Sequence, residues 1–568
     1  MVIKEFVFDV IVLGAGGAGC AAAMAAAKKG ASVALISKES IGIGNTRISE
    51  ATMTSSGILK EDSPEVLKED MIKGGEYLNN PKLVDLIAQN ATSAIRFVES
   101  IGHFFRRDEE GRLLVKPIKR LGGHRFARSF VSPGVGVSLA RALRNAVANI
   151  KLISIFEDVL LISLFKEEEE ILGAFALDLK TSDPLVFRGK VTVLATGGCG
   201  WLYYPQTTNN RSATGDGYAI AFEAGARLVD MEMVQFFPFS MNHPTHFAGS
   251  LLDDPALAGP KGKLMNGLGE VVADHDINRM TRAQVAVLMA KEIAAGRVTQ
   301  WGGLKLDLSE NLDVPEMVHY KKMNDERNKF EKVRIAYGED AFHWKEPWDI
   351  SPSAHYMMGG IKIDQDARSS VKNLYAIGEV AGGAMGANRL GSVSIADIFT
   401  MGIIAGEEAG EIAAGSGNTM KIGKDLIAEE VRKVESLFTK KGNKRPIKIK
   451  KELQQLMRED VGIVRDERRL AHALSEIARM RDDLENNALI SEIRRYNTDV
   501  LDTIELRNML TCGELIAHSA RSRTESRGAH LRLDYPNKDD AQWSKNIIIW
   551  KKNNQFKTLL SDVNTTAV

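Results

Sequence analysis

His355, Glu379 and Arg389 stand in one glycine-punctuated run: Ser353-Ala354-His355-Tyr356-Met357-Met358-Gly359-Gly360-Ile361, then Gly378-Glu379, then Gly386-Ala387-Asn388-Arg389-Leu390-Gly391-Ser392. Each residue type suggests a task. A carboxylate at a strand end can accept hydrogen bonds from ribityl or ribose hydroxyls. A histidine beside an arginine can grip an anion, since guanidinium is bidentate toward a carboxylate where an ammonium is only a point charge. At the other end of the chain stands Gly14-x-Gly16-x-x-Gly19. Gly14 permits a tight turn, Gly16 lets backbone approach a pyrophosphate, and Gly19 lets the next helix lie close on its strand. The helix N-terminus then stabilises the phosphate charge. Thr214-Gly215-Asp216-Gly217 is a second acidic glycine turn, which makes Asp216 a further candidate for dinucleotide contact.

The elements that must position these groups follow from local pattern. Phe6 to Leu13 reads as one buried strand with Asp9 its only charge, and it runs into the glycine turn. Gly17 to Lys29 is an alanine-dominated helix and Ser32 to Ile36 a second strand, which completes a βαβ dinucleotide unit. The second strand continues as Ser37-Lys38-Glu39 where the generic fingerprint ends on Asp or Glu. The hydroxyl of Ser37 and the amine of Lys38 suit a different adenosine grip. Val191–Thr196 before Gly197-Gly198, and Asn373–Ile377 before Gly378-Glu379, read as further buried strands. From about residue 230 to residue 350 that rhythm gives way to helical patterns, as in an inserted domain. Long helical periodicities begin near Ile422, notably Val464–Leu484 and Leu489–Ile516. Beyond Asp534 the chain reads as extended or irregular.

Composition narrows the function classes. A chain of 568 residues, 44% hydrophobic and 26% charged with zero formal net charge, is an ordinary globular protein of two or three units with no compositional support for nucleic-acid binding. The basic run Lys440-Lys441-Gly442-Asn443-Lys444-Arg445 reads as a solvated linker. Cys20, Cys199 and Cys512 are far apart with no C-x-x-C spacing, which excludes a disulfide framework or an iron–sulfur cluster held by this chain alone. A reducing, cytoplasmic setting is the simple reading. The first strand begins too close to Met1 for a signal peptide, and no window is apolar enough for a direct membrane span.

Taken together, the motifs resemble the flavoprotein subunits of the succinate dehydrogenase/fumarate reductase family, which includes L-aspartate oxidase and soluble fumarate reductases. The matching stretches are Ala195-Thr196-Gly197-Gly198, Thr214–Gly217, Gln235-Phe236-Phe237-Pro238, His355–Gly360, Asn388-Arg389-Leu390-Gly391, Arg523-Thr524-Glu525-Ser526-Arg527-Gly528-Ala529-His530 and Asp534-Tyr535-Pro536. The resemblance implies an α/β fold: a Rossmann-like FAD-binding domain in two parts (1–229 and 351–420), an inserted α+β capping domain (230–350), a helical domain (421–533) and a C-terminal extension (534–568). It implies FAD held by the glycine fingerprint, Ser37, Lys38, Asn45, Thr46, Gly197, Asp216, Glu379, Ser392 and Ser394. It implies hydride exchange between flavin N5 and a carbon–carbon double bond next to a carboxylate. In that chemistry His355 and Arg389 clamp the carboxylate and Arg282, in Met280-Thr281-Arg282-Ala283, exchanges the proton. A guanidinium acid has a pKa above ~12 and must be resupplied through a relay.

Three departures from the family pattern shape the expectation. Gly44-Asn45-Thr46-Arg47-Ile48-Ser49 lacks the histidine that bonds flavin covalently in respiratory members, so FAD is expected to be non-covalent. Phe237 replaces the histidine that would hold a second carboxylate. The Thr-Glu step that supports that carboxylate and starts the proton relay is missing from Leu251-Leu252-Asp253-Asp254-Pro255, with His243, His246, Asp254 and Lys261 as candidate substitutes. Losing a cationic donor removes ~1.5–3 kcal/mol of charge-assisted bonding. Fumarate/succinate interconversion is the default activity and another enoate its rival. L-aspartate oxidase and a non-catalytic electron-transfer subunit are further alternatives. The absence of cluster cysteines and of C-x-x-C-H points to an electron-transfer partner, expected to be an iron–sulfur subunit.

Overall fold

The computed structural model describes residues 3–115, 120–415, 417, 421–553 and 555–563. Its centre is a five-stranded parallel sheet in the order Leu374–Ala376, Val191–Leu194, Val10–Leu13, Val33–Ile36, Ile153–Phe156. All but the outermost strand, Ile153–Phe156, are wholly buried, which suits their continuous apolar character. The expected single strand from Phe6 to Leu13 is two strands broken at Asp9. The Asp9 carboxylate accepts from Ser32 N (2.9 Å) and Ser32 Oγ (2.7 Å) and pairs with Lys190 (3.0 Å). Lys4–Val7 therefore leaves the central sheet and pairs with Pro184–Arg188 in a four-stranded one.

Helix Gly17–Lys28 packs along helix Val393–Gly415 through a seam of small residues. A Cβ at Gly406 would meet the Ala22 carbonyl oxygen at 2.4 Å, and one at Gly402 the Ala18 oxygen at 2.8 Å. The alanine run thus serves helix-on-helix approach as well as helix-on-sheet packing. It also anchors the residues that precede Val393, among them Arg389 and Ser392.

Residues 234–357 form an antiparallel sheet, Val234–Met241, Trp348–Met357, Leu304–Asp307, Lys263–Met265, Val271–Ala273, with helices Arg282–Ala294, Pro315–Asp325 and Glu331–Tyr337 around it. Strands stand here where the sequence suggested mainly helices. A separate apolar core, built on Phe237, Phe239, Leu257, Met289 and Trp348, lies inside this region. The long C-terminal helices run Lys424–Leu437, Pro446–Asp460, Glu467–Asn486 and Thr498–Ser522. The last starts well after the expected Leu489. Asn497 caps it by accepting from Val500 N (3.1 Å) while its amide holds Ser491 O and Ile493 O. The basic run is a tied turn: Lys441 pairs with Glu492, and Lys444 bonds Glu452 (2.9 Å) and Asp483 (3.0 Å). Past Asp534 the chain forms a hairpin, Lys545–Lys552 with Gln555–Asp562, whose first strand pairs with Leu228–Val229. Among the described residues no helix is long and apolar enough to cross a membrane.

Candidate functional site

A cavity of about 300 Å³ runs from the glycine turn at Gly14–Gly17, past the ends of the parallel strands, to the inserted region. Ligands of open parallel sheets bind at this carboxyl edge. The residues expected to hold cofactor and substrate all line it except Gly19. Gly19 serves packing: a Cβ there would stand 1.8 Å from the Gly14 carbonyl oxygen. Gly14 has φ +109° and no room for a side chain beside Ala195.

At the nucleotide end the lysine takes an unforeseen role. Lys38 Nζ donates to Thr214 Oγ1 (2.7 Å), Asp216 Oδ2 (2.9 Å) and Glu505 Oε1 (2.8 Å). The carboxylates of Asp216 and Glu505 raise its pKa against the opposing effect of burial. Its charge is spent inside the protein, joining the Asp216 turn to helix Thr498–Ser522, from which Asn508 also reaches Asp216 Oδ1 (2.9 Å). Glu39, one residue on, lines the cavity and keeps a buried carboxylate oxygen without a hydrogen-bond partner. An acid at the end of the second strand is therefore present after all, displaced past the lysine.

In the middle, Thr46 Oγ1 accepts from Gly17 N (3.0 Å), fixing the turn. Asn45 Nδ2 donates to Asn209 Oδ1 (2.6 Å) and Glu379 Oε2 (3.4 Å). Glu379 also accepts from Met357 N (3.0 Å), yet burial raises its pKa to about 7. Gly197, at φ +76°, and Gly44, at φ +103°, face space that no protein atom occupies within 4 Å of a Cβ position. Side-chain-free backbone at both, together with the unpartnered Glu39 oxygen, fits an FAD, which the glycine turn, Glu39 and Glu379 would hold.

At the far end three cationic or imidazole groups converge. Arg282 opens helix Arg282–Ala294, whose start is fixed by a capping box between Thr281 and Gln284. Its Nε donates to Asp254 Oδ1 (2.6 Å) and its NH1 to Gln235 Oε1 (3.3 Å). The same Gln235 holds the Arg389 carbonyl (2.7 Å) and Asn388 Oδ1 (3.1 Å), so one amide sets the spacing of both arginines. Arg389 is 4% exposed, donates from NH1 to Ser394 Oγ (2.7 Å) and lies 4.5 Å over the Tyr356 ring, while its buried Nε has no partner. Burial and the nearby Arg282 charge push its pKa down to about 10. His355 Nδ1 is bonded to Thr208 Oγ1 (2.7 Å). Burial, then Arg282 and Arg389, drive its pKa well below the usual histidine range, leaving the ring neutral. Ser392, at φ +65°, accepts at its carbonyl from Thr54 N (3.2 Å).

Two departures resolve differently. Phe237 is a cavity wall between the two groups, its ring 4.7 Å from the Arg282 guanidinium carbon and 4.9 Å from the His355 ring. Of the four candidate substitutes for the missing Thr-Glu step, Asp254 is the one that reaches the site, as the carboxylate partner of Arg282. The other three candidate substitutes are elsewhere: His243 stacks on Trp301, His246 lies against Phe247, and Lys261 pairs with Asp313. Thr208 and Asn209, which orient His355 and its backbone, escaped the sequence reading because nothing local distinguishes them from other polar loop residues.

The C-terminal Arg523–His530 stretch lies outside the cavity. Arg523 donates to Glu232 (2.6 Å), Asp230 (3.4 Å) and Glu525 (3.1 Å), and Arg527 to Glu525. Gly528 presses on the loop that carries Arg389: a Cβ there would meet Ala387 O at 2.3 Å, and Ala529 N donates to that oxygen (2.9 Å).

Comparison with known proteins agrees with this arrangement. The family model described as FAD binding domain matches residues 9–395, and that described as Fumarate reductase flavoprotein C-term matches residues 450–568. The chain is 36% identical over 551 residues to a fumarate reductase (CoM/CoB) subunit of Methanothermobacter marburgensis, covering 96% of this chain and 97% of that one. It is 30% identical over 570 residues to the fumarate reductase flavoprotein subunit of Escherichia coli, covering 97% and 92%. A solved structure of Escherichia coli quinol fumarate reductase superposes with a TM-score of 0.89 at 29% identity, covering 100% of this chain and 98% of that chain. The chain belongs to the fumarate reductase/succinate dehydrogenase flavoprotein family, FAD-dependent oxidoreductases that act on a CH–CH group.

Proposed function

We propose that the protein interconverts an α,β-unsaturated carboxylate and its saturated counterpart. The observation that carries the reading is the convergence of Arg282, His355 and Arg389 on one buried cavity end, with two of the three cationic at neutral pH. Bound FAD supplies hydride transfer to or from a substrate carbon. The protein's own part is electrostatic and acid–base. His355, neutral and oriented by Thr208, and Arg389, with a donor to spare, hold the carboxylate and withdraw charge from the double bond. The enolate-like charge that develops is stabilised by these preorganised donors. Arg282 delivers or takes the proton at the neighbouring carbon, and Asp254, bonded to its Nε, keeps the guanidinium oriented and starts its resupply.

FAD is held without a covalent bond on this reading, because Asn45 and Thr46 stand in the segment where a bonding histidine would be. Electrons arrive or leave through an iron–sulfur partner subunit, since among the described residues no group of three ligating side chains could hold a metal. The test is anaerobic: the flavoprotein is reduced, then mixed with a panel of unsaturated acids while flavin absorbance is followed. Reoxidation by at least one acid is expected, and denaturation should release free FAD into solution. Failure of every acid, with reoxidation by ferricyanide intact, would sink the reading.

A further inference from the structure

Two arginines face the substrate end of the cavity, and one of them is already paired. Arg282 and Arg389 are its cations, and Asp254 cancels one of them through its 2.6 Å contact with Arg282. His355 is neutral. Arg389 is left with a serine hydroxyl and a tyrosine ring and, among the described residues, no carboxylate in hydrogen-bond contact.

The wall is apolar where Phe237 stands: its ring lies between Arg282 and His355, and Leu251 of the same inserted region also lines the cavity. Phe237 cannot swing away. It is 1% exposed, sits in strand Val234–Met241 with its backbone paired to Ser353, and has ring contacts on both sides. The nearby hydroxyls are internally spent: Ser240 Oγ bonds Ser351 O and Ser353 Oγ, both at 2.6 Å. A second carboxylate set against this ring would trade hydration for a phenyl face, with Arg282, already bonded to Asp254, the nearest cation. An alkyl or aryl group there instead gains from leaving water.

We propose that this protein acts on an unsaturated monocarboxylate with an apolar β-substituent, in preference to a dicarboxylate, and that Phe237 is the residue that sets this choice. The inference rests on the reading of the site given above and narrows it. In the reductive direction the π bond breaks, the β-carbon takes the hydride, and its electron pair passes to the α-carbon beside the clamped carboxylate. That carbon then takes a proton from Arg282, and the product is the saturated monocarboxylate.

The experiment uses the FAD-loaded protein, reduced under anaerobic conditions and mixed with (E)-but-2-enoate, (E)-cinnamate or fumarate. At least one monocarboxylate is expected to reoxidise the flavin with a second-order rate constant ~10-fold or more above that of fumarate. The Phe237→His variant, which restores a donor on the apolar wall, is expected to shift the ratio toward fumarate by ~10- to 100-fold, the range of one hydrogen bond to a charged group. Fumarate outpacing both monocarboxylates in the unaltered protein overturns the specificity while leaving the general activity standing. Failure of all three acids alongside normal ferricyanide reoxidation overturns both. Should Phe237→His not fold, the ratio in the unaltered protein decides alone.

Discussion

The arginine cluster around Arg523 and the one around Arg389 are both buried, and they differ in how completely their donors are used. Arg523 is fully buried and donates from Nε, NH1 and NH2 to Glu232, Glu525, Trp543 O, Asp230 and Lys545 O. Arg389 is about as buried, yet its Nε has no partner, and its guanidinium rests on a tyrosine ring and one serine hydroxyl. Arg282, beside it, has one carboxylate and one amide. Burial costs both clusters the hydration of their charges. Only the first recovers that cost within the folded chain, because burying an unpaired charge is strongly unfavourable. The unrecovered cost in the second is what an anionic ligand would offset, so donor accounting separates an arginine that holds the fold from one that awaits a partner.

The sharpest way to break this comparison is to remove one arginine from each cluster. Arg282→Ala should lower turnover by roughly 10⁴-fold, the upper range for loss of a general acid. Flavin content should stay close to that of the unaltered protein, and the urea midpoint should fall less than in Arg523→Ala, since Arg282 has one carboxylate partner, Asp254, where Arg523 has three. A large fall in stability with turnover preserved would place Arg282 with the structural arginines instead. Arg523→Ala should do the converse. Removing one partner of a buried, paired cluster leaves Glu232 and Asp230 uncompensated and costs about 3–5 kcal/mol, read as a lower urea midpoint. Turnover per bound flavin should change little in the fraction that remains folded. If turnover collapses at unchanged stability, the distinction between the clusters fails.

Sequence alone made the first cluster recognisable as a motif, Arg523 to His530, but not as a brace, because its partners Asp230 and Glu232 lie far away in the chain. The cavity cluster was legible for the opposite reason: histidine, arginine and glycine recur there in a spacing that backbone approach to a ligand requires. The glycine turn was legible too, since Gly14 and Gly19 tolerate no side chain. What escaped was decided by long-range charge and by capping. Lys38 looks like an adenosine ligand until Asp216 and Glu505 are folded onto it. Asp254 is one of four equal candidates in the sequence, and only its contact with Arg282 singles it out. The run from Leu489 reads as helix by apolar spacing, but the side chain of Asn497 competes for the backbone and delays the start to Thr498. Asp9 likewise splits a strand whose apolar pattern is unbroken on either side.

A finer distinction is available between the cavity and the brace through pH. Glu379 faces the cavity, and burial raises its carboxyl from 4.5 to about 7 against the lowering effects of Met357 N–H, Arg389 and Asn45. In the unfolded chain the same group titrates near its ordinary value. Between pH 4.5 and about 7 the folded protein therefore holds the proton more often than the unfolded chain does. Stability must then fall as pH rises through this window, by at most ~1.4 kcal/mol per pH unit for one group. His355 acts in the opposite sense, since its folded pKa is depressed and its share of stability is lost as pH falls below the unfolded histidine value. The two overlap, so the raw profile is uninformative and the difference is needed. Glu379→Gln keeps an acceptor for Met357 N–H and removes only the titration. In the flavin-stripped protein, the stability of this variant relative to the unaltered chain should grow steadily from pH 5 to pH 7 and then level off, as measured by urea unfolding at each pH. A flat difference would mean that Glu379 is ionised throughout, held so by more positive charge in the cavity than Arg389 supplies.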